Sequence, residues 1–242
     1  MNSFLFVLLC SSIIFLCTSI GSLFVYLVNK INSKTENICL GLAGGIMLAS
    51  SIWSLLTPAI STSKYFIILI GFILGVFIIT KLDKLVDKYS NNKKNTMLFA
   101  AMTIHNIPEG MTVGLISSYA YKINSGITIS AALALTIGIA IQNIPEGAAI
   151  SLNYRQQGLS KFKSTLLGIL SGIVEPISAL LMYFIFSTIN GLLPFMLSLA
   201  ASIMIYVVIN EIIPNTNKDN TNIGSIYFII GFIIMMYLDI LM

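Results

Sequence analysis

The sequence is poor in charge. Of its 242 residues only 9% are Asp, Glu, Lys or Arg, against roughly 25% in an ordinary soluble domain, while 57% are hydrophobic. A water-soluble globular protein is thereby excluded. Histidine occurs once, as His105, so the H-E-x-x-H helix of zinc hydrolases cannot be written. The three cysteines, Cys10, Cys17 and Cys39, show neither C-x-x-C spacing nor a pairing pattern and read as small hydrophobes. Ten-residue stretches of alternating apolar and polar residues are missing, which excludes a membrane β-barrel. No Lys or Arg precedes the first apolar run and no A-x-A-like cleavage site follows it. That run therefore reads as a membrane helix rather than a signal peptide.

What remains is a chain of apolar runs. A helix crossing the hydrocarbon needs about 20 apolar residues, and eight candidate spans fit, near 4–28, 38–60, 65–82, 97–120, 126–152, 162–187, 191–213 and 223–242. The expectation is an all-α integral membrane protein with a single domain over 1–242. Glycine pairs four apart, Gly41 with Gly45, Gly71 with Gly75, Gly110 with Gly114 and Gly168 with Gly172, have the spacing that lets membrane helices approach closely. They mark expected packing faces.

Orientation follows from the basic residues. Eleven of the thirteen Lys and Arg lie in the first, third, fifth and seventh connections, and only Lys64 and Lys122 lie in the others. The positive-inside rule then puts the odd connections in the cytoplasm and both termini outside. The third, about 83–96, is the longest and reads as a solvated helix extension plus a turn. The net charge of +4 reports these connections, and no nucleic-acid partner is implied. Lipid is the expected surrounding.

The acids carry the functional information. Glu36, Asp83, Asp87 and Asp219 are expected in connections, and Asp239 at a helix end in reach of water. Glu109, Glu146, Glu175 and Glu211 fall within apolar spans. A charge at a helix centre costs on the order of 3 kcal/mol, and the one basic residue in those spans, Lys163, stands at the start of its span, far from Glu175. Cations from outside the sequence would compensate. Two of the acids sit in a repeat, His105-Asn106-Ile107-Pro108-Glu109-Gly110 and Gln142-Asn143-Ile144-Pro145-Glu146-Gly147. On a helix the i and i+4 positions share a face, setting His105 beside Glu109 and Gln142 beside Glu146, with Asn106 and Asn143 flanking the same acids. Pro108 and Pro145 each remove one backbone hydrogen bond, freeing the carbonyls of Ile104 and Ile141. Glu175, next to Pro176, is a third acid of this kind. Imidazole, carboxylate and carboxamide together suit a borderline divalent ion such as zinc, and tolerate cadmium, iron or manganese. Three carboxylates would accept two such ions. Met47 is a soft ligand or core filler, and filler is favoured. Glu211 stands near a span end, where water can reach it.

The residues leave three functions open: a divalent-metal transporter, an intramembrane metal-dependent hydrolase, and a proton or monovalent-cation exchanger. No residue offers a general base distinct from the candidate ligands, which disfavours the hydrolase.

The paired motifs, together with Ser171-Gly172-Ile173-Val174-Glu175-Pro176, Gly45-Ile46-Met47-Leu48-Ala49, Ser54-Leu55-Leu56-Thr57-Pro58-Ala59 and Met204-Ile205-Tyr206-Val207-Val208, resemble the ZIP family of metal transporters, most closely its GufA-like branch. The resemblance runs from about residue 38 to residue 214. It implies an eight-helix bundle with both termini extracellular, import of zinc and related metals across the cell membrane, and assembly as a homodimer. It also implies a binuclear site with His105, Glu109, Gln142, Glu146 and Met47 at one metal and Asn106, Glu109, Asn143, Glu146 and Glu175 at the other. Metal is then cargo, with no cofactor and no catalytic residue. Three departures stand out: Gln142 replaces a histidine found in many branches, Asn210 stands where many relatives have a first acid, and a His-rich cytoplasmic connection is missing.

Overall fold

A computed structural model describes residues 2–28, 33–89, 95–121, 127–186, 193–216 and 222–241, and within these the side chains of 86–102, 105 and 240–241 fall outside the description. Eight helices run through it: α1 Ser3–Tyr26, α2 Ser33–Ser61, α3 Tyr65–Tyr89, α4 Asn95–Tyr119, α5 Ile129–Gln156, α6 beginning as Lys161–Gly172 and resuming as Val174–Phe186, α7 Leu193–Thr216, and α8 Ile223–Leu241. Among the described residues there is no strand, and six helices are long and apolar enough to cross a membrane. Of the other two, α4 has 25 residues and rises about 37 Å at 1.5 Å per residue, and α8 holds a shorter apolar helix, Ile223–Asp239. This is a multi-pass membrane bundle, and its helices follow the expected spans closely.

One boundary differs from expectation and moves an acid. Helix α2 begins at Ser33, so Glu36 belongs to its first turn and is only 6% exposed. A first-turn acid is favoured by the helix dipole, and the Asn153 amide donates a hydrogen bond to its carboxylate. Helix α3 continues through Tyr89 and α4 starts at Asn95. The expected helix extension is therefore present, and 90–94 lie outside the described residues.

The helices form two packed groups. In one, α1, α4, α5 and α6 lie against each other. In the other, α2 pairs with α8, α3 pairs with α7, and α7 also meets α2. All four glycine pairs sit at such contacts. A Cβ on Gly41 or Gly45 would strike the carbonyl of Gly224 or Phe228 on α8, and on Gly71 or Gly75 that of Phe195 or Leu199 on α7. On Gly110 or Gly114 it would strike the carbonyl of Glu175 or Ala179, and on Gly168 or Gly172 the side chain of Ser22 or Thr18. Without a hydrophobic drive between helices in lipid, this close backbone approach supplies the packing energy.

The prolines bend the chain selectively. Ahead of Pro58 and Pro214 the helices widen into π-turns, Ser51–Leu56 and Val208–Ile212, and α6 breaks at Ile173 just before Pro176. Helices α4 and α5 run uninterrupted through Pro108 and Pro145. A Gly45→Ala substitution should push α8 off α2 and destabilise the fold by about 1–3 kcal/mol, as overpacking does. A clear drop in Tm on heating in detergent is expected, and an unchanged Tm would contradict the contact.

Candidate metal centre

The repeated motif folds around its glycines. Each glycine follows the acid directly, so the bare backbone beside the carboxylate is where a neighbouring helix arrives. Gly110 on α4 meets the backbone of α6 at Glu175, and Gly147 on α5 meets α1 at Thr18. Thr18 in turn donates its hydroxyl to Glu175 Oε1 at 2.8 Å, and Gln142 on α5 donates its amide to Glu109 Oε1 on α4. Four helices thus close a ring: α4 to α6, α6 to α1, α1 to α5, α5 to α4.

Inside the ring the polar groups are sealed from solvent. Asn106, Glu109, Gln142, Asn143, Glu146 and Glu175 are all 0% exposed. Each carboxamide spends its N–H on the protein. Asn106 donates to the Ser171 carbonyl at 3.1 Å, and Asn143 to the Ile14 carbonyl at 3.4 Å. Ser171 lies in the last turn before the α6 break, where carbonyls lack intrahelical partners. With the donors turned outward, the oxygens are left. Asn106 Oδ1, Gln142 Oε1, Asn143 Oδ1, Glu109 Oε2 and Glu175 Oε2 are buried and accept no hydrogen bond among the described residues. Glu146 lies close enough to Glu109 and Glu175 for its charge to act on both, and those two act on each other. Buried oxygens without donors, contributed by carboxylates and carboxamides, are the complement of a cation.

The expected ligands are thus largely assembled. Asn106, Glu109, Gln142, Asn143, Glu146 and Glu175 come together on α4, α5 and α6. His105 lies on α4, one turn before Glu109, and its side chain is outside the described residues. Met47 is fully buried on α2, in the main apolar cluster with Ile14, Val113 and Ile139. Glu211 is half-buried in the π-turn of α7, its carbonyl accepting from Asn215. Among the described residues no three His, Cys, Asp or Glu side chains form a tight cluster.

Sequence reasoning missed Thr18 and Ser171. Thr18 did leave a signal, because Ser11, Thr18 and Ser22 fall on one face of an otherwise apolar helix and all are buried. The contact of Ser171 is made through its backbone and leaves no mark in side-chain identity.

The profile of the family described as "ZIP Zinc transporter" matches residues 92–239, which hold both motifs and Glu175. The chain belongs to the ZIP family. It is 31% identical to zinc transporter ZIPB of Bordetella bronchiseptica over 93% of this chain and 77% of that protein. With zinc transporter GufA of Myxococcus xanthus it shares 28% identity over 92% and 93% of the two chains, which puts this ZIP chain in the GufA-like branch. It is 38% identical to zinc transporter ZIP11 of Xenopus tropicalis over 62% of this chain, a stretch spanning 45% of that relative. These relatives are named as transporters, and the ZIP chain groups with transporters rather than enzymes.

A cation held by these oxygens binds only the folded chain and stabilises it by mass action, about 2.7 kcal/mol at a hundredfold excess over Kd. Zinc or cadmium should therefore raise the Tm of purified protein in detergent, and the rise should vanish in Asn143→Ala combined with Glu175→Ala. No shift with any divalent metal would contradict the cation reading.

Proposed function

We propose that this ZIP-family protein carries divalent transition metals across the membrane, zinc first and cadmium, iron and manganese with it, through a binuclear site within the α1–α4–α5–α6 group. The observation that carries the proposal is the set of five buried oxygens that accept no hydrogen bond among the described residues. One metal is held by His105, Glu109, Gln142, Glu146 and Met47, the other by Asn106, Glu109, Asn143, Glu146 and Glu175, with the two glutamates bridging. Three carboxylates carry three negative charges: one divalent ion leaves the site anionic and two leave it slightly cationic. The second ion therefore binds more weakly than the first, which favours release.

The hydrogen bonds give each residue a task. Gln142 holds Glu109 by its amide, keeping Oε1 occupied and Oε2 turned to the ion. Thr18 does the same for Glu175 through Oε1. Both carboxylates are thus pre-oriented to bind through one oxygen, so loading exchanges the ion's water for protein oxygen with little rearrangement. A carboxamide oxygen at Gln142 is a weaker zinc donor than imidazole, which broadens metal choice. The whole chain acts as one transporter domain, a homodimer in the plasma membrane with both termini outside, and the ion moves from outside to the cytoplasm. The relatives' zinc transporter names support the transport of metal, and the asymmetric distribution of basic residues supports the orientation.

Uptake into proteoliposomes tests the proposal. Glu109→Ala or Glu146→Ala should lower zinc uptake at least tenfold with reconstitution unchanged, and retained uptake in both would sink it. Gln142→His should raise the ratio of zinc to manganese uptake, and an unchanged ratio would remove Gln142 from the selectivity argument.

A further inference from the structure

The two helix groups meet mainly where α2 lies along α5, and this seam is uneven. On its outer side it is apolar: an open groove of about 730 Å³ runs between the end of α1, with Phe24 and Leu27, and Leu42 of α2, Ile144 and Pro145 of α5 and Ile234 of α8. Ile144 and Pro145 sit inside the motif whose Asn143 and Glu146 are fully buried at the candidate centre. The wall of the groove is therefore the back of that centre. Apolar contact along this face is non-directional and by itself fixes no register between the two groups.

At the end bearing the first and fifth connections the seam changes character. Glu36 of α2 is 6% exposed, and Asn153 of α5 donates its amide to Glu36 Oε1. Gln157, one turn further along α5, donates to Asn153 Oδ1 at 2.6 Å, which fixes the Asn153 carboxamide with its N–H₂ toward Glu36. A carboxylate of one group is thus held by an amide of the other, and that amide is oriented from behind. Separation of the groups here takes the hydrogen bond from a buried acid and leaves its half-buried donor to water, so the contact is released as a unit or kept as a unit.

We infer that Glu36 and Asn153 are a positioning pair that latches the site-bearing helices to α2 at this end, and that the latch opens in each transport cycle. This rests on the transport reading above. The latch sets how readily the seam parts, while the residues at the ion stay as they are.

The test uses the full chain with Cys10, Cys17 and Cys39 replaced by serine, carrying Glu36→Cys and Asn153→Cys together, in proteoliposomes. A short bis-methanethiosulfonate should cut zinc uptake at least tenfold in the double variant and leave the cysteine-free parent untouched, with uptake restored by reductant. Uptake by the cross-linked protein equal to that of the reduced protein would overturn the latch. A second variant, Asn153→Ala, guards against a folding defect. It should keep the zinc-induced rise in Tm while changing the maximal uptake rate at least threefold, and an unchanged rate together with an unchanged KM would also overturn the latch. Failure of the native chain to take up any divalent metal sinks the transport reading itself, which the cross-linking comparison alone cannot do.

Discussion

Three carboxylates fully withdrawn from water inside a membrane bundle set the terms for the rest of this structure. Glu109, Glu146 and Glu175 show no exposure, lie within range of one another's charge, and stand on helices whose basic residues, Arg155, Lys161 and Lys163, lie only in end turns. Taking ions out of water is expensive, and mutual repulsion adds to it. The surroundings answer with local orientation. An amide and a hydroxyl secure one oxygen each on Glu109 and Glu175, other amides bind helix carbonyls, and the second oxygens of Glu109 and Glu175 stay buried without a donor among the described residues. Such an arrangement is unfavourable for an isolated chain and favourable for a chain that meets divalent cations.

The glycines follow from the same constraint. To bury three acids from α4, α5 and α6 within range of one another's charge, helix axes must come closer than ordinary side chains allow. Gly110 and Gly147 permit this at the acids themselves, by admitting the backbones of α6 and α1. Binding groups and packing points are thus adjacent in sequence, which explains why the motif reads Pro-Glu-Gly twice. The prolines contribute differently at different places. In α4 and α5 they sit within continuous helix, whereas α6 breaks before Pro176, and that break leaves Ser171 with a carbonyl for Asn106 to bind.

Much of this was legible in the residue order. Span number and type follow from apolar length alone, because lipid leaves the backbone no alternative to helix. The acids within those spans, the repeat and the glycine pairs could all be read without coordinates, since each is a local pattern with a long-range meaning. What escaped were groups whose role depends on a partner distant in sequence. Glu36 looked like a connection residue because it precedes the apolar run, and only its contact with Asn153, 117 positions away, shows why the helix extends to cover it. Asp239 is half-buried near the end of α8, and what the sequence did not show is its hydrogen bond from Ser54 at 2.7 Å. Thr18 is one hydroxyl among many in α1, and its importance lies in facing Glu175. Pairing across 100 residues or more is a property of the packed bundle.

The most direct test of the central claim is X-ray absorption at the zinc edge of metal-loaded protein. The account predicts a first shell dominated by oxygen and nitrogen at about 2.0–2.2 Å, reduced in amplitude when Glu109 and Glu175 are replaced. A shell dominated by sulfur at about 2.3 Å, or one unchanged in that double variant, would contradict it.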